Sequence, residues 1–219
     1  MLKVFSSFII ACFFISCSTQ NPNTNTNNNS SALQSVTVCT QVWANKNLAV
    51  SCYRNGDIIP EVRDANSWGA LTTGAWCWYN NDSANYWQYG KLYNWYAVND
   101  PRGLALTGWH VPTSNEWITL QNCLGGSSLA GGAMKETGVL HWLSPNTGAT
   151  NSSGITALPA GSRGVNGSFN AIGMSGCWWS STETNTTASW YRAIYNSSAE
   201  LYESYSDKKG GLSVLLIKD

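Results

Sequence analysis

The stretch VPTSNEWITLQNCLGG, residues 111–126, contains the clearest helix signal of the chain. Thr113 and Glu116 have the spacing of a capping box, in which the threonine hydroxyl accepts from a backbone amide and the glutamate reaches back. Two glycines end the run, as is common at the carboxyl end of a helix. The sequence therefore predicts a helix over residues 114–124. Its apolar residues recur at helical spacing, at Trp117, Leu120 and Leu124.

A second helical pattern lies upstream, in the segment KLYNWYAVN of residues 91–99. Leu92, Trp95 and Tyr96 have helical spacing, and Pro101 follows as a natural end. The same residues also alternate in a way that suits a strand, so both interpretations stay open for this segment.

Short strands rich in aromatic and β-branched residues are predicted on both sides of these helices. Residues 35–43 and 48–54 flank the turn Asn-Lys-Asn and are expected to form a hairpin. Two helices among many short strands indicate an α+β fold, and the abundant Asn, Ser, Thr and Gly favour much irregular structure. The other predicted strands cover residues 76–79, 176–180, 190–195 and 212–217.

The charge balance and the aromatic content limit the classes of function that the sequence allows. The 12 Lys and Arg balance the 12 Asp and Glu, and no basic stripe occurs, which excludes a sequence-independent nucleic-acid binder. All 12 Trp and all 10 Tyr follow residue 31. Because these side chains bury a large body and keep a polar tip that needs a partner, the core is predicted to consist of hydrogen-bonded aromatics. The tryptophans expected there include Trp78, Trp95, Trp117, Trp178 and Trp179.

The amino-terminal segment predicts export. Residues 4–15 form a short apolar run after Lys3, whereas a membrane-spanning helix needs about 20 apolar residues, so residues 1–16 are expected to be a signal peptide. The sequence Phe-Ile-Ser-Cys that ends at Cys17 resembles the lipobox of bacterial lipoproteins. Cys17 is therefore the expected lipidation site, and its two acyl chains are expected to anchor the protein stably. A similar box ends at Cys12, and an ordinary signal peptide is the other alternative.

Residues 17–31 contain the run NPNTNTNNNSS, which has no apolar side chain to bury. Such a segment is expected to be a flexible linker, and residues 32–219 are expected to form one domain. The expected location is the outer membrane or the cell surface, with the membrane as a partner through the lipid anchor.

Five cysteines follow the linker, and two of them suggest a disulfide. Cys39 and Cys52 lie on the two arms of the predicted hairpin, so a bridge between them is expected; it would contribute on the order of 3 kcal/mol. Buried thiols are the alternative. His110 and His141 stand apart from any cysteine at zinc-ligand spacing. No metal and no cofactor are predicted.

An ordered series of motifs runs along the rest of the chain. It comprises YRNGD at 53–57, CWYNND at 77–82, YGKLYNWYAV at 89–98, GWHVPT at 108–113, LPAG at 158–161, WWSSTE at 178–183 and WYR at 190–192. Together these motifs resemble the Fibrobacter succinogenes major paralogous domain of exported bacterial lipoproteins, over residues 38–219. Relatives commonly end in Ser-Val-Arg-Cys, whereas residues 213–216 read SVLL. The resemblance thus implies that Cys77 has lost its partner.

That family is similar in turn to the C-type lectin-like fold, in the branch shared with formylglycine-generating enzymes. A Pro-Thr-x-x-Glu-Trp helix start and a Trp-x-Ser-Ser strand recur there, matched by residues 112–117 and 178–181. The resemblance implies an α+β, C-type lectin-like domain with two main helices and short antiparallel strands. Lectin-like folds carry ligands on loops near their last strands, where residues 192–196 and 200–205 are expected to lie around a turn. The expected ligand-binding residues are Arg192, Tyr195, Asn196, Tyr202 and Tyr205.

Recognition is favoured over catalysis. Cys177 is the candidate for a reactive cysteine, but its neighbours carry no basic group that would lower its pKa. The Glu-Pro-Asn triplet of calcium-dependent lectins is absent from the sequence, and the runs at 80–82 and 99–100 are typical of turns. We expect a non-catalytic domain that recognises a glycan or a protein. The alternatives are a structural, adhesin-like module and a degenerate relative of formylglycine-generating enzymes.

Overall fold

Four small antiparallel sheets and five short α-helices make up the part of the chain that the structure, a computed structural model, describes, residues 33–219. This is a mixed α+β architecture, as the sequence predicts. Between the elements run long irregular segments, which side-chain hydrogen bonds repeatedly connect to backbone groups. The helices are α1 (Ala65–Gly69), α2 (Ser83–Tyr86), α3 (Trp95–Val98), α4 (Ser114–Cys123) and α5 (Ser127–Met134).

Helix α4 confirms the strongest local prediction. The Thr113 hydroxyl accepts from the Glu116 amide, and the Glu116 carboxylate accepts from the Thr113 amide at 2.8 Å, which completes the capping box. Trp117 and Leu120 are fully buried beneath the helix. The helix therefore forms where its own sequence specifies it, and packing against the core adds to that preference.

Residues 91–99 contain both of the structures that their pattern allows. Strand β4 (Leu92–Tyr93) comes first and pairs with β3 (Trp76–Cys77), and α3 then begins. Asn94 makes the change of structure possible because its side-chain oxygen accepts from the amides of Ala97 and Ala75. One buried amide thus caps the helix and holds the neighbouring strand.

The first sheet corrects the predicted hairpin. Strands β1 (Ser35–Val38) and β2 (Gln41–Ala44) are the two arms of a tight hairpin that turns at Cys39, where φ is 50°. The prediction that residues 35–43 pair with residues 48–54 is therefore wrong, since the first predicted strand folds back on itself. Strand β11 (Ile217–Lys218) pairs with β2, so both ends of the described chain lie in one sheet.

The remaining pairings of this region are short. Strand β5 (Trp109–His110) completes the first sheet, in the order β1-β2-β11-β5. Strands β6 (Ser162–Arg163) and β7 (Phe169–Asn170) form a separate pair. Of the predicted strand at residues 212–217, only the last residue belongs to a ladder, and Leu212 and Ser213 contribute single bridges.

The second sheet has the order β10-β9-β8 and contains the longest strands. Strands β8 (Ser175–Glu183) and β9 (Ala188–Tyr195) confirm the predictions for residues 176–180 and 190–195 and extend them. Strand β10 (Tyr202–Asp207) was not among the predicted strands, although a turn was expected between residues 192–196 and 200–205. The turn between β9 and β10 ends before Tyr202, and the alternating polar and aromatic residues that follow it form an edge strand.

Helix α5 was not predicted, because two glycines stand inside it. A Cβ atom on Gly131 would lie 2.4 Å from the Glu200 carbonyl oxygen, and one on Gly132 would lie 2.3 Å from the Gly148 carbonyl oxygen. Tertiary packing therefore requires glycine at positions where helix propensity disfavours it. The two main helices are α4 and α5, whereas α3 has four residues.

Tryptophan fills the core, and its buried indoles have the predicted hydrogen bonds except at Trp117, whose Nε1 has no partner within the described residues. Indole N–H groups of Trp68, Trp76 and Trp95 each donate to a backbone carbonyl at 2.8–2.9 Å, and Trp178 donates to the Asn47 side chain at 2.7 Å. Among the tryptophans expected in the core, Trp78 is only partly buried. The fully buried tryptophans are Trp43, Trp68, Trp117, Trp142, Trp178 and Trp179.

The same core also contains cations that the sequence did not indicate. Lys91 lies 3.4 Å from the Trp76 ring centroid, and the Arg163 guanidinium lies 4.4 Å from that of Trp68. Arg163 also donates to the carbonyls of Val62 and Arg63. Aromatic faces and carbonyl oxygens therefore solvate buried positive charge.

The cysteines pair differently from the expectation. Cys39 is bonded to Cys123, which joins the turn of the amino-terminal hairpin to the end of α4, so the predicted Cys39–Cys52 bridge is wrong. The hairpin that would have brought Cys52 opposite Cys39 does not form, although Cys52 is not a free thiol. Cys77 and Cys177 are free and buried, and the state of Cys77 agrees with the resemblance.

The predicted signal peptide (1–16), the lipidation site Cys17 and the linker (17–31) lie outside the described residues. Within residues 33–219, none of the helices has the length and apolar character needed to cross a membrane.

Candidate functional site

The register of β9 and β10 separates the residues that were expected to bind a ligand. Arg192 lies opposite Glu203, Trp190 opposite Tyr205, and Ala193 opposite Tyr202. Because side chains alternate along a strand and opposite residues share a face, Arg192 and Tyr205 lie on one face of the sheet, whereas Tyr195 and Tyr202 lie on the other. Asn196 follows β9 in the turn. The five residues therefore do not form a single site.

The first face carries an exposed aromatic pair. The Tyr205 side chain is 66% exposed, and its ring centroid lies 6.2 Å from that of Trp190, with the two rings nearly perpendicular. Trp190 itself is half-buried. We call this surface the aromatic face; it comprises Ile118, Gln121, Trp190, Arg192, Glu203 and Tyr205.

Polar groups beside the aromatic pair are held in place. Arg192 is 3% exposed and forms an ion pair with Glu203 on the neighbouring strand. Its Nη1 atom also lies 3.4 Å from Oε1 of Gln121, on helix α4. Burial lowers the pKa of Arg192, and the Glu203 carboxylate opposes that shift. The Glu203 carboxylate and the Gln121 amide thus stay near the exposed ring in a fixed arrangement.

Helix α4 borders this face along its length. At its amino-terminal end, the Ser114 amide donates to the Thr182 hydroxyl at 3.0 Å, and seven residues later Gln121 reaches Arg192. Ile118 shares the same side of the helix because it lies one turn from each of them. Its side chain is 39% exposed and adds an apolar edge to the aromatic face.

The other three expected residues stabilise the turn between β9 and β10. The rings of Tyr195 and Tyr202 lie 5.3 Å apart, and the Tyr202 hydroxyl donates to the Ser198 hydroxyl at 3.2 Å. Asn196 donates to the carbonyls of Leu143 and Ser144. Burial raises the pKa of Tyr195. Their internal contacts are thus those of structural residues, and ligand binding by them stays a prediction.

Sequence reasoning missed the group at the centre of this turn, Lys135. The residue is fully buried, and its Nζ atom donates to the carbonyl oxygens of Thr147, Tyr195 and Ser198 at 2.8, 3.2 and 2.9 Å. Burial lowers the pKa of Lys135 to about 8. We call Lys135, Tyr195, Asn196, Ser198 and Tyr202 the turn cluster. No local signal marks it, because the carbonyls come from distant parts of the chain.

Groups with catalytic potential are buried or paired. Burial raises the pKa of the Cys177 thiol to about 11, and burial raises that of Cys77 to about 12. His110 lies between the carboxylates of Glu116 and Asp219, at 2.8 and 2.7 Å. In the described part of the chain, no group of three or more His, Cys, Asp or Glu side chains could hold a metal ion.

The runs that could have supplied oxygen ligands are structural turns. Asn80 and Asn81 have positive φ angles of 50° and 57°, and the Asp82 carboxylate caps α2 through the amides of Ala84 and Asn85. In the second run, Asp100 binds Arg102 through both carboxylate oxygens. In both places the Asn and Asp residues thus stabilise a turn of the backbone.

Comparison with known proteins gives one family. A family model described as the Fibrobacter succinogenes major domain matches residues 36–218, nearly all of the described chain. No curated protein and no solved structure matches the chain significantly.

Proposed function

The chain belongs to the Fibrobacter succinogenes major domain family, and on this premise we propose that it is a lipid-anchored envelope protein whose domain recognises a glycan without catalysis. A single observation carries the recognition part of the proposal. The exposed Tyr205 ring packs against the half-buried Trp190 ring on a regular sheet, beside a carboxylate and an amide that are already fixed. Aromatic rings suit the apolar faces of sugars, and preorganised polar neighbours reduce the ordering cost of binding.

We also propose the C-type lectin-like fold for this domain. The two motifs behind that resemblance contact each other, since the Pro112 carbonyl accepts from the Ser181 amide at 2.9 Å and from the Ser180 hydroxyl at 3.2 Å. Ser114, at the start of α4, adds a hydroxyl contact with Ser180 at 3.3 Å. The helix start and the Trp-x-Ser-Ser strand thus pack together as one unit. This contact supports the proposed kinship with lectin-like folds better than the two motifs would in isolation.

The absence of catalysis is part of the proposal. A reactive cysteine needs an exposed thiolate, and Cys177 is 7% exposed with a pKa raised by burial. Thiol titration of the native protein tests this point. Slow reaction at Cys177, with reactivity appearing only on unfolding, is expected, whereas rapid labelling near neutral pH would favour a degenerate formylglycine-generating relative.

Lipidation at Cys17 places the domain at the outer membrane or cell surface in this proposal. Labelling of expressing cells with radioactive palmitate is the test. We expect incorporation into the wild type and the Cys12→Ala variant, and none into the Cys17→Ala variant. Label that persists in Cys17→Ala, or wild-type protein that retains its start methionine, would contradict the proposal.

A glycan array tests recognition. We expect the mature protein to bind a subset of polysaccharide fragments, and Tyr205→Ala to abolish that signal. Tyr195→Ala is the matched control, because it removes a partly exposed tyrosine from the opposite face of the same strand pair. If neither glycans nor envelope extracts bind, a structural, adhesin-like role is favoured. Capture of an envelope protein that depends on Tyr205 would favour a protein partner.

A further inference from the structure

A shallow, open depression of about 250 Å³ lies away from the aromatic face, between residues 72–74 and the turn that follows α3. Backbone and side-chain atoms of both segments form its walls. The side chains that matter for its chemistry are those of Thr73, Trp95, Tyr96, Asn99, Asp100 and Arg102.

Hydrogen bonds within the protein hold the walls of the depression in place. The Asn94 side chain donates to the Thr73 carbonyl at 2.8 Å and accepts from the Ala75 amide at 3.0 Å, which ties one wall to the start of α3. At the other wall, the Asp100 carboxylate accepts from the Arg102 amide at 3.0 Å. A ligand therefore meets a preformed surface, and little ordering cost opposes its binding.

Arg102 is held in one orientation. Its Nε and Nη2 atoms each lie 2.8 Å from a different oxygen of Asp100, and Nη1 lies 3.2 Å from the Asp57 carboxylate. The guanidinium also lies 4.1 Å from the Tyr53 ring centroid. The hydrogen bonds from Arg102 lower the pKa of Asp100 to about 2, so this carboxylate is ionised at neutral pH.

Tyr53 provides an independent observation behind this array. It is 3% exposed, and its hydroxyl lies beside Asp100 but makes no hydrogen bond of acceptable geometry within the described residues. Gly74, in the wall, makes room for it, since a Cβ atom there would lie 2.0 Å from the Tyr53 hydroxyl oxygen. Burial, followed by the Asp100 charge, raises the pKa of Tyr53 to about 12, so the phenol keeps its proton. The phenol is therefore a buried donor that stays available beside Asp100.

Charge and size together limit the class of ligand. Arg102 and the neighbouring Arg54 balance Asp57 and Asp100, so the region favours neither anions nor cations strongly. The volume is below the range of about 300–1,000 Å³ that drug-sized ligands occupy. Carboxylate, amide and guanidinium groups side by side suit adjacent hydroxyl groups, because each can exchange two hydrogen bonds with them.

We propose that this depression binds one neutral sugar ring, with its hydroxyl groups on Asn99, Asp100 and Arg102 and an apolar edge against Tyr96. The site is separate from the aromatic face, and the inference rests on the proposed recognition function only for the class of ligand. In this arrangement Tyr53 is a positioning residue, since its ring supports Arg102 and its hydroxyl can complete the array when the ligand settles.

Saturation-transfer NMR of the mature protein with glucose, galactose, mannose and N-acetylglucosamine tests the proposal. We expect at least one of the four to bind with a dissociation constant of about 1–10 mM, as suits a single ring in an open site. Arg102→Met and Asn99→Ala should each weaken that sugar about tenfold, the loss expected for one or two hydrogen bonds. Tyr53→Phe, which keeps the ring under Arg102, should weaken it by about threefold to fivefold. Circular dichroism and thermal unfolding identify any variant that fails to fold.

A control variant and three contrary results distinguish this proposal from its alternatives. Leu140→Ala, at a residue that is 82% exposed and belongs to neither proposed surface, should leave monosaccharide transfer unchanged. Transfer that is absent for all four sugars, that survives in all three depression variants, or that occurs only with charged glucuronate or glucosamine overturns the proposal. If Tyr205→Ala loses glycan-array binding but still binds the monosaccharide, the substitution has affected the aromatic face alone. Failure of one proposed site can therefore be recognised separately from failure of the other.

Discussion

The aromatic face and the turn cluster are built on the same two strands from similar residues, yet they use their polar groups differently. In the turn cluster, Lys135 and Tyr202 donate their hydrogen bonds to other groups of the protein. On the aromatic face, Tyr205 and the Glu203 carboxylate extend toward solvent, and only Arg192 is buried. The side of β10 on which a tyrosine lies therefore decides whether its ring packs on the protein or extends toward solvent, where it can meet a ligand.

The largest expected effect comes from breaking the turn cluster at Lys135. Lys135→Met removes the buried donor that three backbone carbonyls share and should lower the free energy of unfolding by about 3 kcal/mol. Urea unfolding measures this change. Lys46→Met, at an exposed lysine, is the matched control and should change it by less than about 0.5 kcal/mol. Equal losses of stability in the two variants would mean that the buried Lys135 ammonium contributes no more than an exposed one.

The comparison is sharpened by two tyrosines of β10 that lie three residues apart. Tyr202→Ala removes a half-buried ring that packs on the core and should cost about 2 kcal/mol of stability. Tyr205→Ala removes a mostly exposed ring and should cost less than about 0.5 kcal/mol. Glycan binding should show the reverse order, with loss in Tyr205→Ala alone. Thermal unfolding and array binding on the same protein samples decide whether the two faces differ in this way.

A smaller effect is expected from the ion pair of the aromatic face. Glu203→Gln leaves the buried Arg192 guanidinium with a neutral partner and should cost about 1 kcal/mol, since the glutamate is partly exposed and the pair is screened. The nearby Ser206→Ala, in the same strand, serves as the control. If Glu203→Gln cost much more stability than Lys135→Met, the comparison would be reversed. The aromatic face would then contribute more to stability than the turn cluster.

The smallest effect is a pH dependence at the start of α4, which borders the aromatic face. The carboxylates of Asp219 and Glu116 outweigh burial and raise the pKa of His110 above 6.5. The Thr113 backbone and His110 outweigh burial and lower the pKa of Glu116 below 4.5. Stability from His110 is present below pH 6.5 and is lost as the pH rises through its folded pKa, whereas that from Glu116 is lost as the pH falls below 4.5.

Unfolding of the wild type and His110→Gln across pH 4–9 measures this dependence. The stability difference should be largest near pH 5–6 and should shrink above pH 7, as the imidazole loses its charge. A difference that is constant across this range would show that His110 acts through packing and not through its ion pairs.

Several features of the fold could be predicted because their causes are local. The Thr113–Glu116 capping box specifies α4 within one turn, and the polar tips of the tryptophans indicate a hydrogen-bonded aromatic core. The turn at Cys39 was missed because a cysteine with positive φ carries no turn signal. Helix α5 was missed because Gly131 is selected by a carbonyl that comes close only in the folded chain.

The candidate site was predicted only in part, for a related reason. No strand was predicted for residues 202–207, so the odd spacing of Tyr202 and Tyr205 carried no information about the faces on which they lie. With β10 recognised as a strand, that spacing alone places the two rings on opposite sides. The depression beside Tyr53 joins residues that are distant in sequence. No local pattern indicates that Gly74 leaves room for the Tyr53 hydroxyl or that the Tyr53 ring supports Arg102.

If the proposed lipid anchor holds the protein at its amino terminus, the covalent bond between Cys39 and Cys123 has a mechanical consequence. A pull on the membrane side would first peel β1 from the edge of its sheet, one backbone pair after another. At Cys39 the load would pass through the disulfide into helix α4 and the tryptophans beneath it. Extension under flow or cell contact would stop there, and both the aromatic face and the depression lie beyond that point along the chain.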